Sequence, residues 1–171
     1  MPAALETSGE SMSEANPKPL KKSAARLGAV QALYQMDVAA TPIQDILAQF
    51  QSYWLGREVE GTQFPDADTT LFRDVVQGVL REQRRIDPLI DRTLDAGWPL
   101  RRVEAVLRAT LRAGAYELIA RRDVPARVVV AEYVNVAGAF LDRDETGMAN
   151  AVLEALARDL RADEFKHSGG A

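Results

Sequence analysis

Residues 20–38 read LKKSAARLGAVQALYQMDV, and the fold turns on what this stretch becomes. No proline falls between Leu20 and Thr41, and a Ser/Ala opening followed by good helix formers specifies one long helix. At about 100° per residue, Leu27, Val30, Tyr34 and Val38 fall on one side, and Ala25, Ala29, Ala32, Leu33 and Met36 on another. A helix with two apolar flanks is a core element gripped from both sides. Between the flanks, Lys21, Ala24, Gly28, Gln31 and Gln35 form the expected exit to solvent. Lys18, Lys21, Lys22 and Arg26 crowd the helix entry, with no acid before Asp37. That basic end is either an ordinary solvated terminus or a surface for a polyanion.

Working outward, Thr41 and Pro42 signal a second helix through Ile43, Ile46, Leu47, Phe50 and Trp54, ending near Gly56. Residues 57–68 read as a polar loop. A third helix, capped by Asp68 or Thr69, buries Leu71, Phe72, Val75, Val76, Val79 and Leu80; Gly78 in its middle marks close packing, and Arg73 and Asp74 read as ion-pairing residues. Asp87-Pro88 restarts the chain as a short helix ending at Gly97, and Trp98-Pro99-Leu100 is a knuckle expected in the core between two halves. Residues 101–122 form the second long helix. Pro125 opens another, on which Glu132 reads as a carboxylate tying the helix to a neighbouring Arg rather than as a lone catalytic acid. Residues 141–146 are a loop before a last helix from Gly147, and His167 lies in a polar tail.

The 171 residues carry a net charge of −4, unevenly: −3 over 1–17, +3 over 18–38, −4 over 39–80, +4 over 81–130 and −4 over 131–171. A polyanion is expected to meet the first helix or the 81–130 block. The chain has no cysteine, which removes disulfides, thiolate metal sites and a Cys nucleophile. No apolar run approaches the roughly 20 residues needed to span a bilayer, and residues 1–17 lack a signal-peptide pattern. The expectation is a cytoplasmic protein with disordered tails at 1–17 and 163–171, and with no catalytic residue, metal site or cofactor.

Four segments in this order resemble the NusB family of bacterial transcription antitermination factors. They are AARLGAVQALY in the first helix; Phe72-Arg73-Asp74-Val75-Val76-Gln77-Gly78-Val79, like the family's FRDLLxGV; residues 111–118, like LRxAxYEL and followed by a DIPxxVxINEAVELAKxF-like helix; and residues 147–154, like KFVNGVLD. The resemblance covers residues 20–161. It implies an all-α fold of about seven helices in two small bundles, residues 18–98 and 99–162. It also implies binding of boxA single-stranded RNA in ribosomal RNA leaders with the ribosomal protein NusE, within the elongation complex of RNA polymerase and other Nus factors.

Carried onto this chain, the resemblance makes Lys18, Lys21, Lys22 and Arg26 phosphate contacts and places Gln31, Met148 and Asn150 at unpaired bases. Tyr34 faces the partner protein. The family's acidic partner-facing position falls on Leu107, with Glu104 one turn earlier taken as the contact. Met148 stands where the family carries Phe, and a thioether cannot stack on a base as a ring does. Three other readings are weighed. A stand-alone domain related to ribosomal RNA cytosine methyltransferases finds no glycine-rich nucleotide loop and no Cys here. A protein-interaction or homodimerisation module would show no salt-dependent RNA binding. A helix-turn-helix DNA reader needs an exposed recognition face that these helices bury.

Overall fold

The computed structural model describes residues 17–59, 68–94 and 98–166, for which six α-helices are seen: α1 (Pro17–Ala39), α2 (Ile43–Val59), α3 (Thr69–Thr93), α4 (Ala105–Ala120), α5 (Ala126–Phe140) and α6 (Arg143–Leu160). Short 3₁₀ turns at Leu100–Arg102 and Ala162–Phe165 precede α4 and follow α6. The fold is all-α, and no strand occurs among the described residues.

Two expected helices are one. Pro88 lies inside α3, which runs on to Thr93 because Ile86 and Ile90 continue the buried face of Val75, Val76 and Val79. Proline removes one backbone donor, and burial on both sides of it outweighs that loss. Other boundaries shift: α1 starts at Pro17 and α2 runs to Val59, past the expected end near Gly56. The 3₁₀ turn occupies residues 100–102, so α4 starts at Ala105, capped by Glu104 Oε2, which accepts from Val106 N at 2.9 Å and Leu107 N at 3.1 Å. The expected loop 141–146 is mostly helix, because Asp142 accepts from Glu145 N at 2.8 Å and starts α6 at Arg143. The expected tail from residue 163 begins inside the second 3₁₀ turn, where Phe165 packs against the core.

Buried side chains from all six helices make one contiguous core. Ion pairs fix helix direction: Arg26 meets Glu117 and Asp37 meets Arg108, so α1 is antiparallel to α4. Asp74 meets Tyr116 and Asp87 meets Arg112, so α3 is antiparallel to α4 as well. Leu153 lies over Gly114 and Arg161 reaches Glu117 O and Leu118 O, so α6 runs parallel to α4. Gly78 does mark close packing: a Cβ there would lie 2.1 Å from Tyr116 Cζ.

Candidate nucleic-acid interface

Charge in the middle of α1 faces inward. Arg26 is 3% exposed; its Nε and Nη2 donate to the two oxygens of Glu117 at 2.8 and 3.0 Å, and Nη1 donates to Glu132 Oε1 at 3.1 Å. Tyr133 Oη donates to Glu117 Oε2, and Ser23 Oγ donates to Glu132 at 2.9 Å. This fork joins α1, α4 and α5. Burial by itself lowers the Arg26 pKa, but the Glu117 hydrogen bonds and charge, with Tyr133 and Glu132, raise it above the ordinary value. Burial first, and Glu117 second, push the Tyr133 phenol well up. Arg26 is therefore no phosphate contact: a guanidinium with both edges on buried or half-buried carboxylates presents nothing to solvent. Glu132 has the tying role expected of it.

Much of the positive block is consumed in the same way. Arg112 grips Asp87 through two bonds of 2.9 Å, Arg108 meets Asp37 at 2.8 Å, and Arg121 meets Asp74 at 3.0 Å. Arg161, fully buried, donates to the carbonyls of Glu117, Leu118, Arg121 and Val124, closing the C-terminus of α4. The cations that are exposed and form no ion pair with a described residue include Lys22, Arg92, Arg101, Arg102 and Arg143.

The expected site residues fall into separate places. Lys18 and Lys21 lie on the first turns of α1 with side chains outside the described residues, while Lys22 is exposed beside them. Gln31 is exposed but lies with Tyr34, Gln35, Gln49, Phe50, Val106 and Phe140 in an apolar groove of about 720 Å³, so it sits with the expected partner residue rather than with the lysines. Val30 and exposed Tyr34 line this groove, so that part of the apolar flank of α1 opens into it, Val38 is exposed beyond it, and the expected polar stripe closes at buried Gly28.

Glu104 is exposed with one carboxylate oxygen capping α4, and Leu107 is buried, which removes Leu107 from any partner-facing role. Met148 and Asn150 lie on α6 past its first turn, so the backbone amides there serve the helix instead of a ligand. Asn150 stands with Arg143, Thr146 and Gly147 in a shallow hollow of about 520 Å³. Met148 lines a different cleft, of about 420 Å³, with Thr93, Leu94, Ala151, Val152 and Trp98. Trp98 is not a core residue: it is 49% exposed. Helix polarity puts the α1 entry near the Glu117 end of α4 and the Met148 cleft toward its Glu104 end, an axial separation of roughly 15–20 Å at 1.5 Å per residue.

Residues 23–158 match the family model described as the NusB family. The chain belongs to the NusB family. The transcription antitermination protein NusB of Bradyrhizobium sp. strain BTAi1 is 63% identical over 145 residues, covering 85% of this chain and 86% of that protein. The protein of the same name from a Rhodopseudomonas palustris strain is 60% identical over 148 residues, covering 86% and 85%. Among solved structures, T. maritima NusB superposes with a TM-score of 0.69 at 23% identity, covering 84% of this chain and 96% of that one. A chain of the complex of antitermination factors NusB and NusE with double-stranded RNA gives 0.65 at 23% identity, covering 80% and 96%. These likenesses place the chain in the NusB fold. Among the described residues no helix is long and apolar enough to cross a membrane, and no three His, Asp or Glu side chains are grouped to hold a metal ion.

Proposed function

We propose that this chain is a cytoplasmic, non-catalytic antitermination factor that binds single-stranded boxA-type RNA jointly with the ribosomal protein NusE, within the elongation complex of RNA polymerase and other Nus factors. The observation that carries this is 63% identity, across most of both chains, to a protein named for transcription antitermination. A solved complex of NusB with NusE and double-stranded RNA on the same fold supports NusE and RNA as partner classes. Lys18, Lys21 and Lys22 supply phosphate attraction, which is salt-sensitive and carries little sequence information. Asn150, beside exposed Arg143, supplies polar groups for a base edge, and Met148 an apolar contact. The groove of Tyr34, Gln31 and Phe140, with Glu104 beyond Val106, is the partner face. We read α1 and α4 as a spine shared by an N-terminal bundle with α2 and α3 and a C-terminal bundle with α5 and α6.

Fluorescence anisotropy of a labelled boxA RNA tests this reading, with and without the NusE-type protein and at two salt concentrations. Binding that is tight only with the partner, and much weaker but still measurable at low salt against a scrambled RNA, is expected. The apolar groove favours one second reading, a homodimer or interaction module without RNA affinity. Absence of salt-dependent RNA binding by the partner-bound monomer would favour that reading over the first.

A further inference from the structure

We infer that the cleft between Trp98 and Met148 is a stacking seat for one unpaired base of a single-stranded RNA, with the Trp98 indole as platform and Arg92, Arg101 and Arg102 on the flanking phosphates. The inference rests on the RNA-binding reading above and names a residue for it that the resemblance leaves out. The indole is half exposed although it lies beside Leu94, Met148 and Val152, which offer it burial. Its backbone is held in place. Leu100 N donates to Asp91 Oδ1 at 2.7 Å and Arg102 N to Pro99 O at 2.8 Å, which pins the turn after Trp98 to the last turns of α3. A large ring on a fixed support beside an open apolar cleft suits a planar ligand, and Met148 in place of a ring leaves room for one.

Charge selects an RNA over an apolar peptide. Arg92 directly precedes two residues lining the cleft, and Arg101 and Arg102 follow Trp98 within the pinned turn. All three are exposed and form no ion pair with a described residue. The described carboxylates closest to them in the chain, Asp91 and Glu104, both accept from backbone amides. Among the described residues the cleft is poor in groups that read base edges: the one hydroxyl in that lining, Thr93 Oγ1, donates to Leu89 O at 3.0 Å. Recognition is therefore by ring face and phosphate, and tolerates any base.

The chain has two tryptophans, so a Trp54→Phe background leaves Trp98 as the sole indole reporter. Titrating it with a 12-nucleotide boxA RNA and with its scramble, each with the NusE-type protein present, is expected to quench the indole emission. Trp98→Ala is expected to weaken both RNAs about tenfold to hundredfold, and Trp98→Phe by only about threefold. Helical circular dichroism of the variants stays that of the wild type, because the side chain is half exposed. RNA binding with unquenched emission and an unaltered Trp98→Ala affinity would overturn the stacking seat while leaving the RNA-binding reading intact. A loss confined to boxA would overturn recognition by ring face. Failure of the wild type to bind either RNA, with or without the partner, would overturn both.

Discussion

Arg26→Ala separates the two roles that a basic residue of α1 can have. The substitution leaves Glu117, fully buried, without the two guanidinium bonds of 2.8 and 3.0 Å and with only the Tyr133 hydroxyl as a side-chain donor. Breaking one side of a buried pair costs about 3–5 kcal/mol, chiefly the penalty of the charge left behind. For a domain of this size that is a fall in Tm of roughly 6–20 °C. Urea unfolding followed by circular dichroism reads it directly as a lower midpoint at unchanged slope. Arg26→Lys keeps the charge and loses the planar fork, so an intermediate loss is expected. Replacing Arg26, Glu117 and Tyr133 together by Met, Leu and Phe is expected to recover most of the stability, because no unpaired charge remains. A loss below about 1 kcal/mol in Arg26→Ala, the range of surface ion pairs, together with weaker RNA binding and a salt slope flattened by one unit, would refute the buried role. The guanidinium would then belong on a phosphate.

Three further outcomes follow from the geometry. Gly78→Ala, which raises helix propensity by about 1 kcal/mol on an open surface, is expected to destabilise by roughly 1–3 kcal/mol because the new methyl meets the Tyr116 ring; urea midpoints give the sign. Lys22→Ala is expected to leave the unfolding midpoint within about 0.5 kcal/mol and to flatten the salt dependence of RNA affinity by about one unit. Glu164 is held below its usual value of 4.5 by the Ala126 N–H at the start of α5 and by Arg161. A depressed carboxylate stabilises the fold above its unfolded pKa and loses that contribution as pH falls through the folded one. Wild type should therefore lose Tm between about pH 4.5 and lower values more steeply than Glu164→Gln.

What could be read from the chain was whatever depends on local spacing. The Ala25, Ala29, Ala32 and Leu33 flank of α1, the capping signal at Asp68 and the small residue at Gly78 each carry a local physical cause, and each has its expected counterpart in the fold. The start of α6 was also legible, in Asp142 with an acid three residues on, a capping arrangement that the loop reading passed over. Pro88 misled because the burial of Ile86 and Ile90 on either side of it, both fully buried, outweighs the hydrogen bond that proline removes. Trp98 misled in the opposite direction. Its hydrophobicity argued for the core, whereas its place between the end of α3 and a turn pinned by Asp91 leaves half of it in solvent.

Charge was the property least legible in sequence, for a reason the ion pairs make plain. Arg26, Arg112 and Arg121 find their carboxylates 91, 25 and 47 residues away, so no window along the chain distinguishes them from Lys22, Arg92 or Arg101. A count of +4 over residues 81–130 therefore overstates what a polyanion meets. Once the paired arginines are set aside, exposed cations remain at the entry of α1, at the end of α3 with the turn after Trp98 and at the start of α6, with Arg84, Arg122 and Lys166 scattered elsewhere on the described surface. A strand of RNA that touches Lys22 and the Trp98 cleft has to cross roughly 15–20 Å of the bundle. Such binding is distributed over few phosphates, and its affinity depends on what else holds the strand. That is the physical reason to expect a partner protein to be required for tight binding.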